Sequence, residues 1–216
     1  MDKQTFNIIV ERYQQLINEI EKTGCEIHQE TNHKYSGYLP YGFHLNMVAS
    51  YVAKYGYLVA ENDADVLTLF AASYLHDSIE DARLSYNDVV KLVKNLKTEG
   101  ETLDNNAKNS FETLVPDIVY ALTNEKGRTR EERANEKYYK GIRETRFAPF
   151  VKMCDRLANV CYSKIFPRKS RMLNVYRQEH SHFMDSIGKK TIPKEMEIEL
   201  MQMFSEEIEF EMVNNK

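Results

Sequence analysis

Apolar residues recur every three or four positions over most of this chain. From Thr5 to Ile20 they fall at Phe6, Ile9, Val10, Tyr13, Leu16, Ile17 and Ile20, one face of an amphipathic helix. Gly24 marks its expected end. Residues 25–42, with Cys25, His28, His33, Gly37, Pro40 and Gly42, keep no steady period and read as an ordered loop. At about 18 residues the loop is long enough to suggest a functional role. The helical period resumes over 43–55, where His44, Met47, Val48, Tyr51, Val52 and Tyr55 share a face that Gly56 terminates. His44 therefore points inward. Asp63 is placed to cap a helix running through Val66, Leu67, Phe70, Ala71 and Tyr74 to His76-Asp77, followed by a turn and a helix over 85–97.

The stretch Thr98 to Asn106 is polar and reads as exposed. Further helices are predicted over 107–123, 129–144, 147–164, 168–187 and 194–212, the last opened by Pro193. Nothing alternates convincingly at period two, and there is no internal repeat, low-complexity tract or Pro- or Ser-rich linker. The expectation is one all-α, multi-helix domain over 1–216. Glu195 to Glu211 reads as a packed acidic terminal helix rather than a partner-binding element.

Composition narrows this picture. Only 8 Gly and 5 Pro in 216 residues argue against a β-sandwich. A net charge of -4 disfavours a duplex nucleic-acid binder, while a local basic pocket leaves room for a phosphorylated small molecule. Cys25, Cys154 and Cys161 form no Cys-x-x-Cys pair and read as reduced thiols, Cys154 and Cys161 as small core residues. Without an amino-terminal h-region or a membrane-length apolar run, a soluble cytoplasmic protein is expected. The sequence does not indicate an oligomeric state.

The candidate chemistry centres on His76-Asp77, a polar pair directly after the apolar run Phe70 to Leu75. Burying such a pair is costly unless a cation compensates it. His44, His76, Asp77 and Asp155 make a mixed nitrogen and oxygen ligand set suited to one Mn²⁺, Fe²⁺, Co²⁺ or Zn²⁺ ion. An open coordination position on such an ion can lower the pKa of a water toward neutrality. Glu80 falls one helical turn beyond His76 if the helix persists that far, near enough to orient the water. Singly, each residue has a plainer reading: His44 as a core histidine, Asp155 as the ion-pair partner of Lys152 or Arg156, Glu80-Asp81 as a solvated helix end. Their joint occurrence favours the metal.

Five segments carry a resemblance to a known family. These are Lys34-Tyr35-Ser36-Gly37-Tyr38-Leu39-Pro40-Tyr41-Gly42-Phe43-His44, then Leu75-His76-Asp77-Ser78-Ile79-Glu80-Asp81, then Val119-Tyr120-Ala121-Leu122-Thr123-Asn124-Glu125-Lys126, then Glu132-Arg133, and last Val151-Lys152-Met153-Cys154-Asp155-Arg156-Leu157-Ala158-Asn159. Together they span about residues 33–165 and resemble the HD superfamily of metal-dependent phosphohydrolases. The narrower similarity is to the SpoT/RelA-type and small stand-alone (p)ppGpp hydrolases. The resemblance implies an HD-type helical bundle with a buried metal site, and His44, His76, Asp77 and Asp155 as ligands of one divalent ion, usually Mn²⁺. It further implies Glu80 and Asp81 as the water-positioning and proton-transfer pair, with Lys34, Lys126, Arg133 and Asn159 as substrate contacts. His33-Lys34 stands where the family has Arg-Lys, and Leu45 where it has Pro.

The activity so implied is removal of the 3′ pyrophosphate from (p)ppGpp, giving GDP or GTP and pyrophosphate. The alternatives are a broader HD nucleotidase acting on dNMP, dNTP or another phosphorylated nucleotide, and a nucleotide-binding module without turnover. The presence of Glu80 and Asp81 speaks against the module.

Overall fold

One almost wholly buried helix organises the fold. In the computed structural model, which describes residues 1–96, 103–166 and 170–205, helix α4 (Asp63–Leu75) is buried at every position from Ala64 to Leu75. A helix that is mostly apolar and buried on all sides must be wrapped by others. Around it pack α1 (Lys3–Arg12), α2 (Gln14–Glu30), α3 (Gly42–Tyr55), α6 (Asn105–Leu122) and α9 (Ala148–Ile165). The remaining helices form an outer shell: α5 (Tyr86–Lys94) against α6, then α7 (Arg130–Arg133), α8 (Glu136–Glu144), α10 (Ser170–Ile187) and α11 (Lys194–Ser205). Among the described residues no helix is long and apolar enough to cross a membrane.

The all-α expectation holds, with local corrections that have physical causes. The first helix breaks at Tyr13, whose φ of -101° and ψ of 21° separate α1 from α2. It does not end at Gly24, because α2 continues to Glu30. Gly24 is instead a contact glycine: a Cβ there would lie 2.5 Å from the backbone oxygen of Tyr74, so its absence lets α2 approach α4. The expected loop over 25–42 accordingly shrinks, and it contains a two-stranded antiparallel hairpin, β1 (Lys34–Tyr35) with β2 (Leu39–Pro40), in which Lys34 pairs with Pro40 and Tyr35 with Leu39.

The cap of α4 is Asn62, whose side chain accepts from the Asp65 N–H, and Asp63 is the first helical residue. The span expected as one helix over 129–144 is two, because Thr129 and Asn135 each cap a new start. Residues 97–102, most of the polar stretch read as exposed, lie outside the described residues, as do 167–169 and 206–216 at the ends of expected helices. In the terminal helix, Met196, Leu200 and Met203 are buried, which is the packed arrangement expected over its described part.

The Gly24 contact yields a stability test. Gly24→Ala is expected to destabilise the protein by about 1–3 kcal/mol through overpacking. Gly141→Ala, in α8 where a Cβ meets nothing within 4 Å, is expected to stabilise by about 0.5–1 kcal/mol. Urea unfolding of the two variants measures both.

Candidate metal centre

Three core helices deliver the candidate ligands to one point. His44 lies in the first turn of α3, His76 caps the end of α4 with Asp77 after it, and Asp155 lies midway along α9. The helix stops at Leu75 and residues 76–82 form successive turns, with Ser78 N–H donating to the Leu75 carbonyl at 2.9 Å and Asp81 N–H to the Asp77 carbonyl at 2.8 Å. Glu80 therefore does not sit one helical turn above His76, as helix continuation would have required. The turns swing Asp77 back toward the two imidazoles.

Ligand atoms of His44, His76 and Asp77 all lie within 4.8 Å of one another. His76 Nε2 is 2.9 Å from Asp77 Oδ2, and His44 Nε2 is 3.6 Å from the same oxygen. Asp155 Oδ1 is 3.3 Å from His44 Nε2 and 4.0 Å from His76 Nε2. The donor set suits a borderline divalent cation.

The fit is supported by polar atoms that the protein leaves without a hydrogen bond. His76 is 1% exposed, and its Nδ1 lies 2.9 Å from the Ser73 carbonyl, which can only accept. That bond places the proton on Nδ1 and frees the Nε2 lone pair toward the cluster, the usual arrangement of a ligating histidine. Nε2 itself has no hydrogen-bond partner of adequate geometry among the described residues, despite its closeness to Asp77. A cation between these atoms would satisfy it.

Without one, protons occupy the cluster. Burial disfavours a charged His76, but Asp77 and Asp155 outweigh it and raise its pKa to about 9. Burial likewise opposes charge on Asp77, and His76 overcomes it, holding the carboxylate below its usual range. Asp155 is also lowered: burial is outweighed by Lys152 and the two histidines.

A second layer of side chains holds these groups. Lys152 Nζ is 2.9 Å from Asp155 Oδ2, so Asp155 pairs with Lys152 and not with Arg156. Asn159, one turn along α9, donates to Asp155 Oδ1 and accepts from Tyr35 Oη at 2.9 Å. The Tyr35 ring stacks on His44 with centroids 4.8 Å apart, which fastens the hairpin over the site. Tyr41 Oη bonds to Asp77 and, at 3.1 Å, to Asp81. Burial, followed by the charge of Asp77, raises the Asp81 pKa to about 6.

Beside Asp155 opens a cavity of about 120 Å³ whose lining includes Arg130, Arg133, Lys152, Arg156, Asn159 and Tyr176. Arg156 lies 4.0 Å from the Phe183 ring centroid and 4.6 Å from that of Tyr176, and its Nη1 is 3.3 Å from Glu179. Arg130 makes two bonds to the same Glu179, at 2.7 and 3.1 Å. Four cationic side chains thus face one small space.

The structure places the sequence candidates unequally. Asn159 and Arg133 line the cavity, while Lys126 lies in a neighbouring depression that shares Asn124 and Tyr138 with it. Lys34 is exposed on β1. Glu80 is exposed at the rim, where Asn124 donates to it from its side chain at 2.7 Å and its backbone at 3.2 Å. Sequence reasoning did not single out Tyr41, Arg156 or Glu179. Arg156 was legible as the neighbour of Asp155, whereas Glu179 had no signal beyond a helical pattern.

Proton competition makes cation binding pH-dependent. His76 carries a proton below about pH 9, and a metal must displace it, so affinity falls as the medium becomes more acidic. Apparent Mn²⁺ affinity is expected to rise up to about tenfold per pH unit between 6 and 8 with proton release, and to level off above about 9. Calorimetric titration in buffers of different ionisation enthalpy reads both. Comparison with family models, curated proteins and solved structures finds no match to this chain.

Proposed function

We propose that this chain is a metal-dependent phosphohydrolase of the HD superfamily that removes the 3′ pyrophosphate from (p)ppGpp. The observation that carries the reading is the meeting of His44, His76, Asp77 and Asp155 beside a cationic cavity. At about 120 Å³ that cavity is well below the roughly 300–1,000 Å³ of pockets that enclose whole ligands, and its size and charge suit a phosphoryl or pyrophosphoryl group. A nucleoside would then lie outside it, toward the hairpin and Lys34. When bound, a divalent ion such as Mn²⁺ supplies charge neutralisation at phosphorus and a water of lowered pKa.

The chain's own residues supply the rest. Arg130, Arg133, Arg156 and Lys152 hold the departing pyrophosphate by charge-assisted hydrogen bonds. Glu80, fixed from two sides by Asn124, accepts a proton from the attacking water. Asp81, with a pKa of about 6, keeps enough of its protonated form near neutrality to pass a proton to the leaving 3′ oxygen. The bond from water oxygen to phosphorus forms as the ester bond to the 3′ oxygen breaks, giving GDP or GTP and pyrophosphate. Lys34 and Lys126 attract the remaining phosphates from the rim.

The test is a nucleotide panel with Mn²⁺ and product analysis. Pyrophosphate from the guanosine alarmone is the expected result. Orthophosphate from nucleoside monophosphates would replace this substrate with the broader nucleotidase reading, and binding without turnover would replace the enzyme with a nucleotide-binding module. Asp77→Ala is expected to lose both cation and activity. Glu80→Gln is expected to retain the cation and lower kcat about 10²–10⁴-fold.

A further inference from the structure

Two histidines and a tyrosine make a ring cluster behind the metal centre that none of the proposed chemistry uses. His28, on the last turns of α2, is 1% exposed, and His33 lies just beyond that helix. Their Nδ1 atoms are 3.1 Å apart, so one imidazole donates to the other and the pair is fixed in rotation. Each stacks on the phenol of Tyr41 with centroids 4.2 Å apart, at interplanar angles of 20° and 29°. The two imidazole centroids are only 5.3 Å apart, which places both on the same side of the phenol ring. On opposite sides they would be separated by nearly twice the stacking distance.

The opposite end of the phenol faces the site. Tyr41 is 8% exposed and precedes α3, one turn before His44, with its backbone carbonyl accepting from His44 N–H at 2.9 Å. Its hydroxyl meets Asp77 Oδ2 and Asp81 Oδ2. A phenol has one proton, and Asp77 is the closer of the two carboxylate acceptors, with Asp81 Oδ2 at 3.1 Å beside it. Tyr41 thus donates to Asp77 Oδ2. The oxygen so engaged is the one that lies 2.9 Å from His76 Nε2.

We propose that Tyr41 is a positioning residue of the metal centre: its hydroxyl holds Asp77 in the ligating orientation and sets Asp81 at a fixed place beside it, while the His28–His33 pair holds the ring. This rests on the metal-centre reading above and adds a residue to it. Hydrogen-bond partners of metal ligands typically contribute 10–100-fold to metal affinity. The stacked rings explain why a side chain outside the ligand set is clamped so firmly.

The experiment is Mn²⁺ titration of the full chain, following the EPR signal of free ion, for wild type, Tyr41→Phe and His33→Ala. Thermal unfolding of each verifies the fold. Tyr41→Phe retains the stacked ring and loses only the hydroxyl, and its Kd is expected to rise about 10–100-fold with Tm close to wild type. His33→Ala retains the hydroxyl and loosens the ring, and a smaller rise, several-fold, is expected. Asp77→Ala, binding no ion, sets the baseline.

Tight binding by wild type with an unchanged Kd in folded Tyr41→Phe overturns the role of Tyr41 alone. A wild-type protein that binds no divalent ion overturns the metal-centre reading and this proposal together. Should Tyr41→Phe lose its fold, the half-buried His33 carries the test, and an unchanged Kd in His33→Ala overturns the positioning role.

Discussion

Imidazoles and carboxylates placed where water is excluded must answer one another's charge or recruit an ion that does. His44 and His76 are each 1% exposed, and with Asp77 and Asp155 they occupy the junction of α3, α4 and α9. The surrounding structure serves that junction. The apolar length of α4 drives its own burial and carries His76 to the centre, and the turns after Leu75 bring Asp77 round beside it. Lys152 answers Asp155 from within the same helix, while Ser73 fixes the imidazole of His76.

The helical architecture and the clustering of His44, His76 and Asp77 were legible because each rests on a local rule. Helical periodicity locates α3, α4 and α9 to within a few residues, and His and Asp in apolar surroundings are conspicuous. Distances through space were not legible. Gly24 reads as a helix end because glycine often is one, and only the approach of Tyr74 reveals that it is a spacer inside α2. Glu80 was placed by extending a helix one turn too far, and the turns at 76–82 carry it to Asn124 instead. Capping by Thr129 and Asn135 was readable in principle, since Thr129 and Glu132 have the spacing of a capping box. The partnership of Arg130 and Arg156 through Glu179 joins three helices, and no periodicity encodes it.

The hairpin shows how a short irregular segment acquires definition. Tyr35 stacks on His44 and bonds to Asn159, and Tyr38 Oη lies 2.9 Å from Tyr162 Oη on α9. Aromatic rings with a polar tip suit this boundary between core and solvent, because they bury area and still complete hydrogen bonds. The segment is thereby tied to the His44, Asn159 and Tyr162 side chains, and its two tyrosines, Tyr35 and Tyr38, make those ties.

Helix α9 bears Lys152, Asp155, Arg156 and Asn159 along a little over two turns, so one rigid rod presents both the inner acid and part of the basic chamber. The opposing walls come from elsewhere: Arg130 and Arg133 from the short α7, Tyr176 and Phe183 from the peripheral α10. Half of the site is thus inherited from the core and half is borrowed from the shell. Substitution in the shell can therefore reshape the charge and width of the chamber while the inner quartet, held by the core helices, stays in register.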